Sequence, residues 1–363
     1  MKPLVWFDAL TPKQLLIGES LRRFLERYGI ELLLTARDYD AIKGLSEALR
    51  INVILFGGYG EDLYEKLFYE GERISRSAQI LSEFRERVLG GVSYPNPVEA
   101  RVLYGIGRDL IVLSDSPHAR HPHRLSLPLA SYLVFSECIP IESWKEHLHP
   151  GLSLEPYKGF DELSWFEELS EVFSKNFIEN LDLEERNYIV LRPEEFKASY
   201  YEWGSKKDLW LKICEKILSR GFKAVILPRY KDQREFFERN LRDQISRGLI
   251  VIPEPRQAIG PALIRYSAAV LTGGGTMARE AALQGVPGIT TFPLRMDVDR
   301  CVEKLNLPLR YISEPEEILR FIDLISRDPD AMRVDVREAL KDMKSPLPRI
   351  HDILKRIRER MGL

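Results

Sequence analysis

A chain of 363 residues with 44% apolar and 30% charged residues has the make-up of a soluble globular protein. It is too long for one ordinary core, so two domains of roughly 150–200 residues are expected. A net charge of -2 leaves no basic footprint for nucleic acid, and no apolar run nears the roughly 18 residues of a membrane span.

The start, Met1-Lys2-Pro3-Leu4-Val5-Trp6-Phe7-Asp8, meets a charge too soon for a signal peptide. Cys138, Cys214 and Cys301 are far apart and odd in number, so they read as buried thiols rather than a disulfide framework or zinc site. Both features point to a cytoplasmic protein.

Residues 4–7 form a short apolar strand ending at Asp8. Pro12 opens a helix running to about Tyr28, and Gly29 ends it. A strand over 30–35, a helix over 39–49 and a strand over 52–56 complete a βαβαβ unit, which predicts a parallel, doubly wound sheet. A charged helical stretch over 61–89, a weak strand over 90–93, a helix over 98–107 and strands over 110–113 and 131–135 follow. Turn residues without periodicity over 150–185 mark the crossing, which gives domains of 1–165 and 166–363, the last helix packing back on the first domain. In the second half, strands are expected at 187–191, 223–227, 249–252, 268–271, 288–292 and 309–312. Helices are expected at 208–219, 231–247 (a charged, solvated face), 314–326, 330–343 and 347–361.

The most informative stretch is Leu271-Thr272-Gly273-Gly274-Gly275-Thr276-Met277-Ala278-Arg279-Glu280. It reads as a strand end, a glycine turn and a helix capped by Thr276. Free N–H groups at the start of such a helix form an anion site, most often for phosphate. Glu280, one turn on, is in reach of a ribose hydroxyl. Arg192 and Arg229 stand at strand ends and suit phosphate or carboxylate, with surface ion pairing as the alternative.

In open α/β sheets ligands bind at the carboxyl ends of strands. In the first half those ends offer Asp8, Arg37, Asp38, Asn96, Asp115, His118 and Glu137. His118 beside Asp115 suits a general base. The neighbouring His121 and His123 bring no orderly set of further ligands, so no metal is expected.

The chain resembles the GT-B architecture of MurG-type glycosyltransferases and UDP-sugar 2-epimerases. It is similar, more closely, to a prokaryotic family called domain of unknown function 354. The segments that carry this are Val5–Asp8, Thr35–Tyr39, Pro97–Arg101, Ser114–Ala119, Tyr157–Leu163 and Gly273–Ala282. The resemblance implies two Rossmann-type domains facing an interdomain cleft. It implies a nucleotide-sugar, UDP-linked, as donor substrate rather than a cofactor. Gly273, Gly274, Gly275, Thr276 and Met277 would hold the diphosphate and Glu280 the ribose. An acceptor would lie in the first domain before Asp8, Asp115 and His118. No Asp-x-Asp metal motif stands at a strand end, which fits metal-independent transfer. Where the epimerases carry Gly-Asp, this chain has Tyr94-Pro95-Asn96. Their His-Arg-Arg-Glu run is Arg192-Pro193-Glu194-Glu195 here, and His121-Pro122-His123-Arg124 replaces a Glu-rich segment. A glycosyltransferase is therefore the leading expectation. An epimerase or hydrolase, and a non-catalytic nucleotide-sugar-binding protein, are the alternatives.

Overall fold

The computed structural model describes residues 2–60, 62–194 and 203–362; Glu61 and Glu195 lie outside them. The chain divides into two compact units, Met1–Val172 with Asp342–Leu363, and Phe173–Lys341. The crossing thus falls at 172/173, and the chain's end belongs to the first unit.

The first unit alternates strands and helices in the order β1 Leu4–Ala9, α1 Pro12–Glu26, β2 Glu31–Arg37, α2 Asp40–Leu49, β3 Ile54–Phe56, α3 Leu63–Ser82, β4 Val88–Ser93, α4 Pro97–Gly105, β5 Asp109–Leu113, α5 Arg120–Ser126, β6 Tyr132–Ser136, β7 Ser153–Tyr157 and α6 Leu163–Glu168. The seven strands pair in parallel in the order β3-β2-β1-β4-β5-β6-β7. Strand order reverses between β1 and β4, which opens a crevice at their carboxyl ends. The central strands are mostly apolar because helices cover both faces: all six residues of β1 and of β4 are buried.

β7 lies in what the sequence suggested was a linker. Pro156 lacks a backbone N–H and is tolerated because β7 is the edge of the sheet.

In the second unit come α7 Asn176–Glu179, β8 Tyr188–Arg192, α8 Trp203–Ser219, β9 Lys223–Ile226, α9 Lys231–Asn240, α10 Arg242–Ser246, β10 Ile250–Val251, α11 Gly260–Arg265, β11 Ala269–Thr272, α12 Gly275–Leu283, β12 Gly288–Thr290, α13 Asp297–Lys304, β13 Leu309–Tyr311, α14 Pro315–Arg327 and α15 Arg337–Leu340. Its six parallel strands run β10-β9-β8-β11-β12-β13, with the reversal between β8 and β11. One core, with Trp210, Ile213, Phe237 and Ile322, lies between the sheet and α8, α9 and α14. The other, with Leu263, Ile264 and Ala281, lies under α11 and α12. The charged run expected as one helix breaks at Leu241, which turns inward and is 4% exposed. Of the helix expected over 330–343, only α15 forms.

The final helix, α16 Leu347–Met361, buries Leu347, Ile350, Ile353, Leu354 and Ile357 in the first unit. Arg356 reaches Glu155 of β7 at 2.6 Å, and Lys344 bridges Gly159, where a side chain on the glycine would overlap the Lys344 backbone. Of the three cysteines, Cys214 is a buried free thiol. The expectation fails for Cys138 and Cys301, which are half-buried and are not free thiols. Among the described residues no helix is long and apolar enough to cross a membrane.

Candidate functional site

The glycine turn sits at the strand reversal of the second unit. β11 ends at Thr272, and the Gly273 N–H donates to Arg192 O at 2.9 Å. A Cβ on Gly273 would lie 2.5 Å from Glu194 Cα, so only glycine lets the two segments approach. The Gly274 N–H donates to Thr272 Oγ1 at 3.0 Å, and Thr290 Oγ1 donates to Gly274 O at 3.2 Å.

Gly274, in an extended conformation, is the residue before α12, and it has no side chain to cap the helix. This corrects the expected cap: Thr276 lies inside the first turn. The opening N–H groups of a helix have no intrahelical partner, so α12 presents an uncapped positive end at the crevice. Thr276 and Met277 are half-buried on that first turn, and Glu280, 6% exposed, follows one turn on along the same side. Beneath, Arg279 and Asp299 form a buried ion pair at 2.9 Å, and the Tyr311 hydroxyl donates to the same carboxylate. Asp299 lies 3.4 Å from where a Gly275 Cβ would stand, so the pair packs against the turn.

The two arginines separate. Arg229 Nε donates to Pro193 O at 3.2 Å, and its Nη2 lies 2.9 Å from where a Gly274 Cβ would be, so its guanidinium is at the turn. Arg192 gives Nη1 to the carbonyls of Leu227 and Pro228, both at 2.8 Å, and clamps the end of β9.

In the first unit, Asp8 stands at the reversal but is fully buried. It accepts from Thr35 Oγ1 at 2.7 Å and Asn96 Nδ2 at 2.8 Å, and it pairs with Arg73. A carboxylate so completely engaged is a strut under the site rather than a group that touches a ligand. Glu99, buried beside it, is held well above its usual range by burial and then by Asp8.

Asp115, on the loop after β5, is 6% exposed and joins a cluster absent from the sequence reading. Lys13 Nζ, in the first turn of α1, lies 2.8 Å from Asp115 Oδ2 and 3.4 Å from Asp161 Oδ2, and donates to Tyr94 OH at 2.8 Å. The Tyr94 hydroxyl donates to Asp115, as does Ser116 Oγ at 2.7 Å. Tyr157 OH donates to Asp161 at 2.6 Å. Burial pushes Asp161 up to about 6 against the pull of Lys13, with Asp115 adding to the rise.

His118 lies on the same loop and is exposed. The partial desolvation it does undergo holds its imidazole below the usual range, opposed by Asp115. His121 is exposed. His123 is fully buried, bonds Ser114 Oγ through Nε2 at 3.0 Å, and is pulled down to about 4 by burial and by His147. Among the described residues no group of three or more His, Cys, Asp or Glu side chains is arranged to hold a metal ion.

The signal for Lys13 was Pro12-Lys13 directly after a strand end, which puts an ammonium in the first turn over the crevice. Tyr94 was noted only as replacing another residue, and Asp161 only within a matching segment.

An uncharacterized protein of Methanocaldococcus jannaschii is 25% identical over 330 residues, covering 88% of this chain and 90% of that one. Among solved structures, the UDP-GlcNAc 2-epimerase of M. jannaschii matches with a TM-score of 0.66 and 15% identity over 97% of this chain and 99% of its own. S. aureus MnaA, in a structure with UDP, matches with a TM-score of 0.70 and 13% identity over 100% and 98%. Medicago truncatula UGT71G1 complexed with UDP-glucose matches with a TM-score of 0.58 and 11% identity over 97% and 98%. These likenesses establish a GT-B-like fold of two parallel α/β units. The sequence profile of one family matches residues 4–341, and the chain belongs to that family, described as protein of unknown function DUF354.

Proposed function

We propose that the protein is a metal-independent glycosyltransferase that uses a nucleotide-sugar, UDP-linked, as donor. The observation that carries this is the uncapped start of α12 with the Arg229 guanidinium beside Gly274. Backbone N–H groups, a helix dipole and a guanidinium together suit a diphosphate, and they suit it better as it departs with more negative charge. Gly273, Gly274, Gly275, Thr276 and Met277 hold the diphosphate in this reading, and Glu280 meets the ribose. Arg192 supports the turn from behind.

The first unit supplies the acceptor side. His118, neutral at neutral pH because its pKa lies below the usual range, takes the proton from an acceptor hydroxyl. The oxygen bonds to the anomeric carbon as the bond to the diphosphate breaks. Asp115, held by Lys13, Tyr94 and Ser116, stabilises the imidazolium that forms. Asp8 serves from beneath, through Asn96 and Thr35.

A second reading, epimerisation or hydrolysis of the same ligand, rests on Asp161: a carboxyl near 6 beside an ammonium suits proton exchange at neutral pH. Calorimetry with UDP and UDP-N-acetylglucosamine tests the shared part. Binding that weakens about tenfold or more in Glu280→Ala supports the ribose role; unchanged affinity removes it. Epimer or free UDP formed without an acceptor selects the second reading. Absence of thermal stabilisation by any nucleotide-sugar overturns both.

A further inference from the structure

The longest helix of the first unit leaves a long face bare. α3 is anchored by Arg73, Ser77, Ile80 and Leu81, all buried, and Arg73 pairs with Asp8 and donates to Phe56 O at 2.7 Å. Its first two turns expose Leu63, Tyr64, Leu67 and Phe68, at 80%, 87%, 67% and 69%, and the last three lie on the side away from Arg73 and Ile80. An apolar stripe this exposed marks an interaction surface. At 100° per residue the same face continues through Gly71, Ser75, Ala78 and Ser82, all exposed. Its first half is bulky and its second half is small.

Gly71 is the midpoint. Glycine is a poor helix former, and nothing in the chain lies within 4 Å of where its Cβ would be, so no intrachain contact accounts for it. A glycine here lets another backbone approach closely.

We infer that this face is the interface of a two-fold symmetric dimer, with α3 crossing α3 of a second copy in antiparallel fashion at Gly71. The spacing of the helix carries this. Tyr64 is seven residues before Gly71 and Ala78 seven after; Leu67 is four before and Ser75 four after. An antiparallel two-fold crossing therefore lays Tyr64 of one copy over Ala78 of the other and Leu67 over Ser75, and sets Phe68, three before Gly71, against the apolar Ile74, three after, each twice, as an isologous contact requires.

A lipid surface fits less well. Residues 61–72 carry Glu61, Asp62, Glu65, Glu70 and Glu72 against Lys66 alone, whereas helices that lie on membranes are rich in Lys and Arg on their polar face.

Light scattering after size exclusion tests the pairing on the full chain. The expected mass is twice the 42.1 kDa of one chain at micromolar concentration. Phe68→Glu, at an exposed position that the fold does not need, should weaken the dimer about tenfold or more by burying a carboxylate against apolar side chains. A monomeric wild type or a dimer indifferent to Phe68→Glu overturns the proposal. A monomer that cosediments with phosphatidylcholine vesicles overturns it in favour of a membrane.

Discussion

Arg229 holds Nη2 2.9 Å from the point that a Cβ on Gly274 would occupy, while the corresponding point on Gly273 is 2.5 Å from Glu194 Cα. Neighbouring glycines therefore answer to different neighbours, one a flexible side chain and the other backbone.

Alanine should separate them. Gly274→Ala displaces the guanidinium at little cost to the fold: thermal unfolding should shift by less than about 1 kcal/mol while UDP affinity falls. Gly273→Ala forces backbone apart at the strand reversal and should destabilise by about 1–3 kcal/mol. Equal effects on stability would contradict the assignment.

Lys13 lowers the Asp161 pKa that burial raises. Lys13→Ala should therefore move the Asp161 carboxyl above its value of about 6 and raise its protonated fraction at neutral pH. Carbon-13 NMR of the labelled carboxyl reads this directly, and a downward or absent shift contradicts it.

His123 is buried and holds a pKa of about 4 against 6.5 for the exposed group. Between those values the unfolded chain binds a proton that the native chain refuses, so stability rises with pH through that window and is lost on acidification. The loss is at most about 3 kcal/mol. Asp161, raised in the folded state, contributes with the opposite sign, so the test is a difference: His123→Gln should flatten the unfolding profile between pH 6.5 and 4 relative to wild type. Parallel profiles would show that His123 does not control it.

His118 in its neutral form is the base of the proposed transfer, so turnover with an acceptor should fall on acidification through the region below pH 6.5. His118→Asn should cost about 100-fold or more in kcat while UDP affinity is retained. Full activity in the variant would assign the base elsewhere.

The parallel sheets and the glycine turn were legible because both rest on local signals, apolar runs bounded by turn residues and three consecutive glycines. The fate of each carboxylate was not. Asp8 and Asp115 both follow apolar strands, yet Asp8 is spent on Arg73, Thr35 and Asn96, while Asp115 joins Lys13 and Tyr94. Those partners lie up to 102 residues away in sequence, and no periodicity announces them. β7 was hidden for another reason: with Glu155 and Pro156 it lacks strand composition, and it forms because β6 supplies its ladder and Arg356 pairs with its glutamate.

The return of α16 to the first unit has a consequence for the order of manufacture. A chain leaves the ribosome from its amino end, and domains generally fold as they emerge. Here Phe173–Lys341 is complete before Leu347–Met361 is made, so the unit begun first is finished last. Until then β7 awaits Arg356, and the surface destined for Ile350, Ile353 and Ile357 is open to water and to other nascent chains.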